Sequence, residues 1–134
     1  MCSLLLVEPD SHQRLLLSEE FGEEGYDVRT AASAREALAR LYAGRPDLVV
    51  LDPDMTGTEG TQLLGRLLGI KRHLPVVIYT AYSGSQENFR SWAADAHVLK
   101  RSDLGELKER IREVLEKRGA RPGCPPARLP LPGA

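Results

Sequence analysis

Leu48-Val49-Val50-Leu51-Asp52 is the stretch on which the fold of this chain turns: four apolar residues in a row stop abruptly at a carboxylate. An apolar run without alternation fits a strand buried on both faces, as in a parallel sheet covered by helices on each side. The same design recurs three times. Leu4-Leu5-Leu6-Val7 ends in Glu8, Val76-Val77-Ile78-Tyr79 ends in Thr80, and Val98-Leu99 ends in Lys100. In an open parallel sheet, reacting groups collect beyond the carboxyl ends of the strands. Two carboxylates, a hydroxyl and an amine converging there suit a phosphoryl group accompanied by a hard cation.

Working outward, the strands are expected at roughly 4–8, 26–30, 48–52, 75–80 and 97–100, with helical periods between them. Leu16, Leu17 and Phe21 mark a first helix, although Gln13 and Glu20 fall where apolar residues are expected. Ala34, Leu38 and Leu41 mark a second, opened by Ser33 with Glu36 three residues on, a capping box. Leu63, Leu64, Leu67 and Leu68 give a third, against Gly65 and Gly69, each costing about 1 kcal/mol relative to alanine in a helix interior. Phe89, Trp92 and Ala93 mark a fourth. Leu104, Leu107, Ile111, Val114 and Leu115 mark a fifth, with Asp103 and Glu106 as its capping pair. Strand–helix alternation with right-handed crossovers predicts an α/β fold, a flavodoxin-like doubly wound five-stranded parallel sheet of order 2-1-3-4-5 with five helices. That order puts the strands ending in Glu8, Asp52 and Thr80 in the middle of the sheet.

With 134 residues the chain reads as one domain. A net charge of −1 supplies no field for nucleic acid or an anionic membrane, and no apolar run reaches spanning length. Cys2 and Cys124 stand far apart without metal-ligand spacing, which suggests neither a zinc site nor a disulfide framework and a cytoplasmic setting. Beyond Lys117 the composition shifts to Pro122, Pro125, Pro126, Pro130 and Pro132 among glycines and arginines. The expected organisation is therefore a folded domain over 1–117 and a disordered Pro/Gly/Arg-rich tail over 118–134.

Asp52 is the candidate reacting group, because a carboxylate can attack phosphorus and hold the phosphoryl group as an acyl phosphate. Glu8 and Asp52 are a candidate pair for Mg²⁺, Lys100 a cation and Thr80 a hydroxyl donor for phosphate oxygens. At this point the chain resembles the receiver domain of two-component response regulators. Glu8-Pro9-Asp10 is similar to the family's acidic cluster, and Asp52-Pro53-Asp54-Met55-Thr56-Gly57-Thr58-Glu59-Gly60 to its phosphoacceptor loop. Thr80-Ala81 matches the switch hydroxyl with its small neighbour, and Lys100 the family lysine. The resemblance covers residues 3–117. It implies a phosphoryl group accepted on Asp52 from a sensor histidine kinase. It also implies Mg²⁺ held by Glu8, Asp52 and the backbone carbonyl of Asp54, and Thr80 moving inward to report the charge.

Three departures qualify it. Pro9 replaces a second acid, and Asp10 either reaches the metal or caps the first helix. Thr56 and Arg101 replace family prolines, so a trans Lys100–Arg101 bond is expected. His97 stands where the family often has a switching aromatic; it is either a switch or a strand-edge histidine bonded to water. The resulting expectation is a stand-alone receiver, not an enzyme beyond slow self-dephosphorylation. It would signal by protein contact through the face built from the fourth helix, fifth strand and fifth helix, with a homodimer compatible with that face. Two readings stay open beside it. One is a degenerate receiver that binds a partner unphosphorylated. The other is a haloacid-dehalogenase-type phosphohydrolase, whose D-x-D-x-T motif Asp52-Pro53-Asp54-Met55-Thr56 also resembles.

Overall fold

The computed structural model describes residues 2–52, 74–81, 95–100, 104–117 and 119. Five strands, β1 (Ser3–Val7), β2 (Asp27–Ala31), β3 (Leu48–Leu51), β4 (Val76–Thr80) and β5 (Ala96–Leu99), form one parallel sheet of order β2-β1-β3-β4-β5. Each lies within a residue of its expected bounds, and the order is the expected one. The central strands β1, β3 and β4 are buried throughout, whereas β2 and β5 at the edges are half-exposed along most of their length.

Three helices are described: α1 (Ser11–Glu23), α2 (Ala34–Ala43) and α3 (Gly105–Lys117), the last being the fifth of the sequence expectation. The expected third and fourth helices, Trp92, and the tail apart from Gly119 lie outside the described residues. Strand alternation divides the core into two layers. On one face Leu4, Leu6, Leu48, Val50, Val77, Tyr79 and Val98 pack against Leu17 and Phe21 of α1 and Leu107 and Ile111 of α3. On the other, Leu5, Val7, Val49, Leu51, Val76 and Ile78 pack against Ala37 and Leu41 of α2. Full burial of each such side chain is worth about 1.5–3 kcal/mol.

Local signals explain the element ends. Asp10 caps α1, its Oδ1 accepting from the N–H of His12 at 2.8 Å and of Gln13 at 3.4 Å. The chain leaves α1 through Gly25, whose φ of 100° suits a residue without a side chain. Ser33 caps α2, and Glu36 reaches back to the N–H of Ala32 at 3.1 Å rather than to that of the cap itself. At the opposite end of the sheet, Asp47 accepts from the N–H of Ser3 at 2.7 Å and Asp95 from that of Val76 at 2.9 Å, tying down two strand starts.

The imperfect pattern of α1 has a physical explanation. Leu17 and Phe21 are buried, but Leu15 and Leu16 are 60% and 44% exposed, so Leu16 belongs to the outer face. The acids on the flank face α3, where Glu20 pairs with Lys108 at 3.7 Å and Glu24 with Arg112. One correction concerns Cys2. It is buried and disulfide-bonded, although the sequence separation of the cysteines suggested no disulfide; bridging depends on spatial approach, not on sequence spacing.

Candidate functional site

The sheet's hydrogen-bond ladder extends one residue past the strands and fixes the backbone of the candidate residues. The N–H of Glu8 donates to Ala31 O at 2.9 Å, that of Asp52 to Val7 O at 3.0 Å, and that of Lys100 to Thr80 O at 2.6 Å. Val7 is level with Leu51 in the β1–β3 register, so Glu8 and Asp52 emerge side by side. Continuing the alternation of each strand, Glu8, Asp52 and Lys100 all point to the sheet face covered by α1 and α3. Thr80, the last residue of β4, starts toward the other face and is buried.

Lys100 joins the carboxylates. Its Nζ lies 2.5 Å from Glu8 Oε1 and 2.6 Å from Asp52 Oδ2, bringing together residues 92 and 48 positions apart in sequence. Glu8 and Asp52 are 3% and 5% exposed, little access to water for two acids, and the Lys100 ammonium bridges them. Burial raises the pKa of Glu8, and the Asp52 charge adds to this, against the lowering effect of hydrogen bonds from Lys100 and the Asp10 N–H. For Lys100, burial works against the ammonium, but the hydrogen bonds to Asp52 and Glu8 outweigh it and hold the pKa above its ordinary value.

The turn after β1 is held from two directions. The Asp10 N–H donates to Glu8 Oε2 at 3.1 Å, and Arg14 Nη1 donates to the carbonyls of Glu8 and Pro9 at 2.8 and 2.9 Å. Pro9 is exposed and has no N–H to offer. Arg14 carries no motif signal in the sequence, and its role emerges only because the first turn of α1 folds back over the strand end. Tyr79 was likewise read only as strand; its ring centroid lies 5.6 Å from Lys100 Nζ.

The hard oxygen donors suit a divalent cation, because Glu8 and Asp52 face the same bridging ammonium. Among the described residues, no three His, Cys, Asp or Glu side chains cluster as a metal site. Asp54 and Arg101, with its peptide bond to Lys100, lie outside the described residues. His97 is half-buried on β5 opposite Ile78 of β4. No described helix is long and apolar enough to cross a membrane.

Comparison with known proteins agrees with this geometry. The model of the response regulator receiver domain matches residues 4–112. Sporulation initiation phosphotransferase F of Bacillus subtilis is 32% identical over 114 residues, covering 84% of this chain and 92% of that protein. Transcriptional regulatory protein AfsQ1 of Streptomyces coelicolor is 36% identical over 124 residues; the match covers 90% of this chain but 54% of AfsQ1. Among solved structures, response regulator protein TrrA of Thermotoga maritima in complex with Mg²⁺-BeF superposes with a TM-score of 0.80 at 38% identity, covering 86% of this chain and 100% of that one. TrrA is also solved in complex with the histidine kinase ThkA, where the TM-score is 0.78, again at 38% identity, covering 86% of this chain and 99% of the matched one.

Proposed function

This chain belongs to the response regulator receiver family, and from that membership we propose that it accepts a phosphoryl group on Asp52 from a histidine kinase. The observation that carries the reading is the buried Glu8–Lys100–Asp52 bridge at the carboxyl end of the sheet. In the reaction, an Asp52 carboxylate oxygen attacks phosphorus, a P–O bond forms, and the P–N bond to the donor imidazole breaks. The imidazole leaves with its proton and Asp52 becomes an acyl phosphate. Positioning and charge stabilisation supply most of the catalysis. Lys100 holds one phosphate oxygen from its place beside Asp52, and the Thr80 hydroxyl donates to another. Glu8 and Asp52, with the Asp54 carbonyl, would hold Mg²⁺, which when bound neutralises charge on the transferring oxygens.

Helix α1 begins at the rim of the site and exposes Leu15 and Leu16. We take this strip as the kinase-facing surface, with β5, α3 and the expected fourth helix as the face for a downstream protein or a second copy. His97 on β5 is the proposed switch partner of Thr80. The cytoplasmic setting is retained on the strength of the family and the kinase alone, since disulfides such as that of Cys2 are uncommon in reducing compartments. Slow hydrolysis of the acyl phosphate would end the signal, without service to other substrates.

Incubation with acetyl phosphate and Mg²⁺, read by intact mass, tests the reading. One added phosphoryl group is expected on the wild type and none on Asp52→Asn; an unmodified wild type overturns it. Leu15→Asp is expected to slow labelling by a phosphorylated kinase while leaving labelling by acetyl phosphate unchanged.

One observation favours the unphosphorylated binding module. Pro9 and Asp10 add no carboxylate beside Glu8 and Asp52, since Asp10 Oδ1 is engaged at the cap of α1. Calorimetric Mg²⁺ binding in the sub-millimolar range counts against that second reading.

A further inference from the structure

We propose that Tyr79 is a positioning residue for the site, its ring forming the floor on which the Lys100 ammonium is seated between Glu8 and Asp52. The inference rests on the phosphoacceptor reading of Asp52 and extends it to a side chain that reading does not use.

Register and alternation put the ring there. Leu51 of β3 is level with Ile78 of β4, so Asp52 is level with Tyr79. Tyr79 belongs to the core layer of Leu6, Val50 and Val98, the face toward which Glu8, Asp52 and Lys100 emerge. The ring is 3% exposed and so held by packing, and Lys100 Nζ lies 5.6 Å from its centroid. That is within the roughly 6 Å at which a ring face attracts a cation, and the attraction is stronger where water is excluded.

An ammonium has three donors in a compact head on a long, flexible stem. The carboxylates of Glu8 and Asp52 engage it on two sides, and the negative face of the ring is turned to a third. An aliphatic side chain like those of Val77 and Ile78 would support the stem but offer no quadrupole to the charge. The ring has a further consequence for phosphoryl transfer. Modification of Asp52 and binding of a cation both change the charges around the ammonium, whereas the ring face stays as it was. Lys100 is thereby kept poised for a phosphate oxygen throughout the step.

The test compares Tyr79→Phe, Tyr79→Leu and Tyr79→Leu combined with Lys100→Met, all in the full chain. Two readouts are taken: the rate of Asp52 labelling by acetyl phosphate with Mg²⁺, and the proton shift of the Lys100 ε-methylene. Tyr79→Phe is expected to label within about twofold of wild type, because the ring face is retained. Tyr79→Leu is expected to label roughly two- to thirty-fold more slowly and to lose the upfield ring-current shift of the methylene. In the Lys100→Met background the same change has no further effect on rate, since the ring acts through the lysine.

A Tyr79→Phe loss as large as that of Tyr79→Leu would assign the effect to the hydroxyl and overturn the proposal. So would an equal Tyr79→Leu loss without the lysine, or an unchanged methylene shift. If the wild type takes no phosphoryl group, or the Lys100→Met background is too slow to follow, the methylene shift alone decides. Its presence in wild type and loss in Tyr79→Leu support the seat, and its absence in wild type overturns it.

Discussion

Two polar clusters lie on the same face of the sheet at opposite ends. At the carboxyl rim, one ammonium faces two buried carboxylates, Glu8 and Asp52. At the other end, where α1 runs out before β2, Arg112 of α3 faces one acid, Glu24, beside the buried Tyr26. At the rim the ammonium bridges two acids, whereas the lower pair joins one base to one acid. Two acids that share one base suit a cation or an incoming phosphoryl group, whereas a single pair joins the end of α1 to α3. On the proposed reading, the same interaction type serves chemistry at one end and assembly at the other.

The largest expected difference is functional. Asp52→Asn is expected to abolish labelling from acetyl phosphate, read by intact mass, while Glu24→Gln is expected to leave it within about twofold, because the proposed reacting carboxylate lies at the rim.

Next comes the loss of each cation. Lys100→Met strands two carboxylates that are nearly free of water, and a cost of about 3 kcal/mol by urea denaturation at pH 8 is expected. The Glu8 pKa is already raised, so its protonated form favours the native state, and that contribution is lost as pH rises past the raised value. Lys100→Met is therefore expected to be less destabilised at pH 5 than at pH 8. Equal losses at both pH values would argue that the carboxylates are not the stranded groups. Arg112→Met, at a half-buried flank pair, is expected to cost about 1–2 kcal/mol with little dependence over the same range.

The smallest effect is confined to alkaline solution. Burial pushes the Tyr26 phenol up from 10.0 to about 12, the charge of Arg112 opposing and that of Glu24 reinforcing the shift. Tyr26 Oη and Arg112 Nε are both buried, and the guanidinium opposes the shift through its charge first and through a side-chain hydrogen bond to the phenol last. A raised folded pKa means stability fully present below pH 10 and lost as pH climbs toward about 12. Tyr26→Phe is thus expected to match wild type within about 0.5 kcal/mol at pH 8 and to lose less stability above pH 10. Thermal melts at stepped alkaline pH check this, and parallel losses in both proteins would remove Tyr26 from the account.

Much of the rim was readable before folding. Apolar runs that stop at Glu8, Asp52, Thr80 and Lys100 named the residues, because burial of central parallel strands forces unbroken hydrophobicity up to the point where the chain turns out. The lower cluster was not readable. Glu20 registered only as a fault in the periodicity of α1, and the explanation sits on α3, where Lys108 faces it. Tyr79 passed for an ordinary strand residue, since an aromatic side chain suits a strand whether or not a charge rests on it.

Strand order, parallel pairing and the level at which the candidate residues emerge follow from the amino-acid order itself, through periodicity, burial and the handedness of crossovers. The partners of each charge were decided by tertiary structure alone. Glu8 and Lys100 are 92 positions apart, and only the closing of the sheet sets one ammonium between two acids and over an aromatic ring. Local sequence carries no record of such a meeting, because Coulomb and ring-face attractions act across space at a few ångströms while sequence patterns report only the neighbours along the chain.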